Sequence, residues 1–294
     1  MPALGFPPLF ALLRSRKCHP ALALPDHSSI RVSRAMPMLS LIALFVALAS
    51  CARSAYGATL TVTDASDNAS DSGSLRYAVN NAADGDTIMF ANSVVGTITL
   101  ANGPLVVNAN VTILGPGATL LTISGNNVSP VFQIYAAGTV NLSGLAIANG
   151  NDSQNGGGID HIFTTGTLAV DACAFSGNTT VAGGGAIANG PGTLLIQNST
   201  FSGNSSEAGG AIFNNAGNMT IENSTLYNNN VMAGGPGGGI FNTGTMSIDS
   251  STVSGNQNGG ISITAGRLQP SRTALLPATP SSIAITAAPW RQTT

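Results

Sequence analysis

Self-similarity at intervals of 25 to 27 residues constrains this chain more than any other feature, because a unit that short cannot enclose a core of its own. Four segments align without gaps: Thr167-Leu-Ala-Val-Asp-Ala-Cys-Ala-Phe-Ser-Gly-Asn178, Thr193-Leu-Leu-Ile-Gln-Asn-Ser-Thr-Phe-Ser-Gly-Asn204, Asn218-Met-Thr-Ile-Glu-Asn-Ser-Thr-Leu-Tyr-Asn-Asn229 and Thr245-Met-Ser-Ile-Asp-Ser-Ser-Thr-Val-Ser-Gly-Asn256. Their equivalent apolar positions Leu168, Leu194, Met219 and Met246 are 26, 25 and 27 residues apart. A second block follows each first one: Gly184-Gly-Ala-Ile187, Gly209-Gly-Ala-Ile212, Gly237-Gly-Gly-Ile240 and a shortened Gly259-Gly-Ile261. A degenerate earlier copy runs from Val140 through Gly156-Gly-Gly-Ile159.

Within a unit the apolar residues alternate, as Leu194 and Ile196 do, and Asn and Gly punctuate the runs. Period 2 between turn formers reads as short strands with one buried face. A unit of this length holds about three strands and three turns, which is one rung of a solenoid. Stacking then places Leu168 over Leu194 over Met219, Phe175 over Phe201 over Leu226, and Ile187 over Ile212 over Ile240. Each added rung buries apolar surface at about 25 cal/mol per Å², which offsets the entropy of ordering it. Asn178, Asn204, Asn229 and Asn256 recur at one corner, where stacked amides can hydrogen-bond from rung to rung.

Upstream, Thr97-Ile-Thr-Leu100, Leu105-Val-Val107, Val111-Thr-Ile-Leu114, Leu121-Thr-Ile123 and Val131-Phe-Gln-Ile134 continue the pattern with looser spacing. The expected fold class is all-β: a right-handed parallel β-helix, a solenoid of about 7 rungs of about 26 residues with an N-terminal helical cap. The cap is assigned to residues 58–90, because Ser74 is a good N-cap and Leu75, Ala78, Val79 and Ala82 fall on one helical face. The repeats are assigned to 91–266 and the Ala/Pro/Thr-rich remainder, 267–294, to an unstructured tail. The pattern stops abruptly at Arg267-Leu-Gln-Pro-Ser-Arg272, which suggests a truncated gene or a shifted reading frame.

Composition removes several function classes. Charged residues make up 7% of the chain and Gly accounts for 36 of 294 residues, yet 43% are hydrophobic, enough to build a core. No Lys or Arg lies between Arg76 and Arg267. Nucleic-acid binding needs a cationic footprint, so it is excluded. The cysteines, Cys18, Cys51 and Cys173, form no readable disulfide framework; Cys173 aligns with Ser199 and Ser224 and reads as a small slot-filling residue.

The apolar run from Leu39 to Ala49 follows Arg31 and Arg34 and precedes small residues. It is too short to span a bilayer and reads as the core of a secretory signal, assigned to 38–57, with 1–37 an upstream extension or long n-region. Two cleavage modes compete. Ala55-Tyr56-Gly57 suits a general signal peptidase, whereas Leu48-Ala49-Ser50-Cys51 resembles a bacterial lipobox, with Cys51 the site of lipid attachment and membrane anchoring. Either mode exports the protein, to the bacterial outer membrane, the cell surface or the medium.

The alternating Gly184-Gly-Ala-Ile187, Gly209-Gly-Ala-Ile212, Phe175-Ser-Gly-Asn178 and Phe201-Ser-Gly-Asn204 tetrapeptides, with Ser74-Leu-Arg-Tyr-Ala-Val79 ahead of them, resemble the polymorphic outer-membrane protein repeats and the wider group of bacterial surface β-helix proteins. The resemblance covers about residues 58–266 and implies surface display and adhesion. Many members of that family also carry a C-terminal membrane barrel or anchor, and residues 267–294 match neither.

The rival class is a polysaccharide-acting enzyme. A lyase acting on uronates needs a base and a cation for the carboxylate, which the cation-free repeats do not offer. A glycosidase needs two facing carboxylates, about 5–10 Å apart. Asp160, with His161 beside it, and Asp171 one strand later are the candidates; Asp171 aligns with Gln197, Glu222 and Asp249 and reads as solvent-facing, and His161 as a surface loop residue. Calcium has acidic and Asn oxygens available, but the repeats lack the Asp-bearing nonapeptide of calcium-binding β-rolls, so no cofactor or metal is expected. The expected role is binding or structural, as a monomer, toward carbohydrate or a host or neighbouring cell-surface protein. Its recognition surface is expected in the variable loops Ser205 to Ala208 and Asn230 to Pro236.

Overall fold

The computed structural model describes residues 57–264, 267–268 and 283–286. The expectations for 1–37, for the signal and for Cys51 fall outside those residues, as does most of 267–294.

Every rung begins with an alternating strand whose apolar residues turn inward, and the successive copies line up as parallel pairs. Thr139–Ser143, Thr167–Asp171, Thr193–Gln197, Asn218–Glu222 and Thr245–Asp249 are the regular members of a nine-stranded sheet that opens with Thr59–Val62, Thr87–Phe90 and Thr112–Leu114 and ends with Arg267–Leu268. A second sheet has seven strands, from Gly96–Thr99 to Thr252–Ser254, and a third has eight, from Leu105–Val107 to Ile283–Thr286. Neighbours within each sheet come from successive rungs, so the chain winds as a right-handed parallel β-solenoid of about 7 turns. Two of these strands, Arg267–Leu268 and Ile283–Thr286, lie beyond the expected end of the repeats.

Register converts the sequence alignment into ladders. Leu168, Leu194, Met219 and Met246 are directly stacked, as are Ile187, Ile212 and Ile240. Phe175 and Phe201 stack with ring centroids 4.5 Å apart and planes 3° from parallel, and Leu226 continues the column. All of these side chains are buried in one continuous core.

A fourth sheet departs from the three strands expected per rung. It consists of Asn151–Asp152, Thr179–Thr180, Ser205–Ser206 and Asn230–Val231, immediately after the Asn corner. An inward Asn at that corner redirects the chain, and the two residues after it extend alongside their counterparts in the next rung. The chain then doubles back through the glycine pair. At Gly209, where φ is +65°, a Cβ would stand 2.2 Å from the carbonyl oxygen of Ile212, so this reversal requires glycine.

The helix forms over Leu75–Asn81, with the Ser74 hydroxyl accepting from the Tyr77 N–H at 3.0 Å. Leu75, Ala78 and Val79 are buried, as their spacing predicts. Arg76 is buried too: it pairs with Asp67 and donates to the carbonyls of Gly103 and Pro104. Asp67 also accepts from the Ala101 and Asn102 N–H groups. The nine-stranded sheet already starts at Thr59–Val62, within the stretch assigned to the cap.

Candidate functional site

Asp160 and Asp171 do not share a sheet. Asp160 is the middle residue of Ile159–His161 in the third sheet, whereas Asp171 ends Thr167–Asp171 in the first. Asp160 is only 3% exposed; its Oδ1 accepts from the Ile162 N–H at 3.1 Å and its Oδ2 from the Asn155 amide at 3.4 Å. Burial pushes its carboxyl up to about 6, the Ile162 and Asn155 hydrogen bonds oppose the rise, and the negative charge of Asp152 adds to it. The carboxylate that acts electrostatically on Asp160 is therefore Asp152, in the fourth sheet. Sequence spacing gave no warning of it, because the two lie eight residues apart across a loop that reverses direction.

Asp171 lies half-buried on the outward row of its sheet, where its Oδ1 accepts from the Asn198 amide at 2.6 Å. Its in-register successors are Gln197, Glu222 and Asp249, and Gln197 donates to Glu222 at 2.8 Å. This row consists of mixed outward polar residues, as their interchange between repeats implied.

His161 differs from expectation. It is not a surface loop residue but a fully buried strand residue. Its Nδ1 lies 2.7 Å from Asn189 Oδ1. The Asn189 amide nitrogen donates to Asn214 Oδ1 and to the Gly192 carbonyl, so its oxygen is the acceptor and His161 Nδ1 carries the proton. His161 Nε2 is buried without a hydrogen-bond partner among the described residues. Burial lowers the pKa of His161, so the ring is neutral at neutral pH. Register accounts for its burial: His161 pairs with Asn189, and that column continues through Asn214 and Asn242, whose amides link at 2.6 Å. The recurring Ile187-Ala-Asn189, Ile212-Phe-Asn214 and Ile240-Phe-Asn242 spacing was the available signal for this second ladder.

The first ladder brings together the residues nominated for it. Asn178 donates to Asn204 Oδ1, Asn204 to Asn229 Oδ1 and Asn229 to Asn256 Oδ1, each at 2.9 Å. Each acceptor oxygen also takes the backbone N–H of the preceding Asn, which satisfies a corner group that strand pairing leaves free. A third column runs from Cys173 through Ser199 and Ser224 to Ser251, each backbone N–H donating to the next hydroxyl at 3.1 Å. Burial pushes the Cys173 thiol up to about 12, so it fills a slot and is not a nucleophile.

The expected recognition loops begin in the fourth sheet. Ser206 and Val231 are buried there, and Met232–Gly234 forms a single 3-10 turn. Among the described residues the most exposed aromatic groups lie elsewhere. Tyr135 and Phe163 are 41% and 63% exposed and stack with centroids 6.0 Å apart, at the corner joining the third sheet to the first. Among the described residues no group of three or more His, Cys, Asp or Glu side chains could hold a metal ion.

Residues 109–271, more than half of the chain, match the family model described as a right handed beta helix region. No curated protein and no solved structure matches the chain.

Proposed function

The chain belongs to the right-handed β-helix region family, and from that premise we propose that it is an exported, non-catalytic solenoid with an adhesive or structural role at a bacterial surface. The observation that carries the reading is the separation of the two nominated carboxylates. Asp160 is only 3% exposed and Asp171 belongs to another sheet, which argues against the open, facing pair of carboxylates that glycoside hydrolysis uses. The outward row Thr167, Thr193, Asn218 and Thr245 instead presents hydroxyl and amide groups from successive rungs, a surface suited to holding a partner by many weak contacts.

Export rests on the apolar run Leu39 to Ala49 and the lipobox-like Leu48 to Cys51. Kinship with the polymorphic outer-membrane protein repeats rests on the Gly-Gly-Ala-Ile and Phe-Ser-Gly-Asn tetrapeptides and belongs to the same proposal. The candidate partners are carbohydrate or a protein on a host or neighbouring cell, and the protein acts as a monomer, anchored through lipid if Cys51 is processed.

The second reading is a glycoside hydrolase with Asp160 as proton donor, favoured by a carboxyl raised to about 6 beside Asp152. One experiment separates the two. The chain is incubated with a panel of plant and bacterial polysaccharides, and both cleavage and gel retention are followed. Cleavage lost on Asp160→Asn or Asp171→Asn makes the protein a hydrolase, whereas retention without cleavage supports the binding role.

A further inference from the structure

The corner between the third and first sheets shortens along the helix axis. Its two sides are fixed by register, with His161, Asn189, Asn214 and Asn242 in line before it and Thr167, Thr193, Asn218 and Thr245 in line after it. The connecting stretch is therefore 135–138 and 162–166 in two successive rungs, then 190–192, 215–217 and 243–244. The two longer stretches carry the exposed Tyr135 and Phe163 rings. The shorter ones carry only Gly, Pro191, Asn215, Ala216 and Thr243. A step results: the aromatic pair stands above a shelf of small residues, with one face of Phe163 stacked on Tyr135 and the other turned toward the shelf.

Beside the shelf runs the outward row Thr193, Asn218 and Thr245, whose side chains make no hydrogen bond to protein among the described residues. No residue of the corner is charged, and no Lys or Arg occurs between Arg76 and Arg267. An exposed ring beside uncharged donors and acceptors complements a sugar, which has an apolar C–H face and a hydroxylated edge. An anionic sugar would need a cation that this surface lacks.

We infer that this corner is the docking site of a neutral polysaccharide. A sugar ring lies against Phe163, the chain runs along the axis over Pro191 and Ala216, and Thr193 and Asn218 exchange hydrogen bonds with its hydroxyls. The inference rests on the binding role proposed above and names its site and ligand class.

The test is affinity electrophoresis of the full chain in gels cast with mixed-linkage β-glucan, glucomannan or polygalacturonate. Retardation is expected in at least one neutral gel and not in polygalacturonate. Phe163→Ala should weaken it about tenfold, the size of a good ring contact, whereas Tyr227→Ala, an exposed aromatic on the second sheet, should leave it unchanged. Phe163 is exposed enough for its variant to fold, which circular dichroism verifies. Retardation that survives Phe163→Ala, or that is equal in polygalacturonate, overturns this site while leaving a binding role elsewhere on the surface. No retardation of the unaltered chain in any gel overturns the site and removes neutral glycan as the ligand, leaving a protein partner for the binding role.

Discussion

Ala172 holds a φ of 50° at the corner where, one rung on, Asn198 holds the same φ of 50°. Asn223 and Ser250 continue the position at 46° and 48°. The left-handed region costs a residue with a Cβ about 1–2 kcal/mol, least when the side chain is Asn and nothing when it is Gly. The solenoid therefore uses alanine where its own repeat prefers asparagine. Ala172→Gly and Ala172→Asn should each stabilise the protein by about 0.5–1 kcal/mol, and Ala172→Val should destabilise it by more. Urea midpoints of the three variants check this order, and a destabilised Ala172→Asn would refute it.

The Asn ladder should respond sharply to a single break. Asn204 accepts from the amide and the backbone N–H of Asn178, and donates to Asn229 and to the Phe175 carbonyl. Asn204→Ala leaves several buried groups unpaired and should cost about 2–4 kcal/mol. Asn204→Asp conserves shape but replaces the donor with a charge among carbonyls, and should cost at least as much at neutral pH. If chemical denaturation finds either variant within ~1 kcal/mol of the parent, the ladder is not a main source of stability.

Asp160 should make the protein less stable as pH rises. Its carboxyl titrates near 6 in the folded chain, above its ordinary value, so the folded state holds the extra proton between about pH 4 and 6. Stability from this group is fully present below pH 4 and is lost as pH climbs through 6. Asp160→Asn removes the penalty and should raise stability by about 1–3 kcal/mol at pH 8, with no gain at pH 3.5. Thermal unfolding at the two pH values measures the difference; a gain of the same size at both would contradict the assignment.

Cys173 should behave as a spectator. With its thiol pushed up to about 12 and fully enclosed, it should not react with a thiol reagent until the chain unfolds. Cys173→Ser should cost less than ~1 kcal/mol, because serine already occupies this column at Ser199, Ser224 and Ser251. Rapid labelling of Cys173 in a native Cys18→Ser, Cys51→Ser background would show that the site opens.

Arg76 should hold the N-terminal end together. Arg76→Met breaks a buried ion pair, leaving the Asp67 charge without its cation and the Gly103 and Pro104 carbonyls without their Arg76 donor, at a cost of about 3–5 kcal/mol. Hydrogen exchange should show the loss concentrated in Leu75–Asn81 and the first strands. Uniform loss along the whole solenoid would mean instead that this end does not act as a cap.

Sequence by itself determined the architecture, the stacking of Leu168 on Leu194, Phe175 on Phe201 and Ile187 on Ile212, and the Asn178 corner. Those features repeat, and in a solenoid identity of position in the repeat is identity of position in space, so alignment of the chain with itself is already a contact map. Only the tertiary structure decided what has no copy or lies across a reversal. The glycine turn brings Asp152 to bear on Asp160, Arg76 reaches Asp67 and a distant loop, and the corner shortens to leave Tyr135 and Phe163 exposed. His161 shows the boundary between the two. Its place in the Ile-x-Asn column was written in the sequence, but a single histidine at the head of three asparagines breaks the residue identity that alignment depends on. Its burial emerged only once backbone register placed it over Asn189.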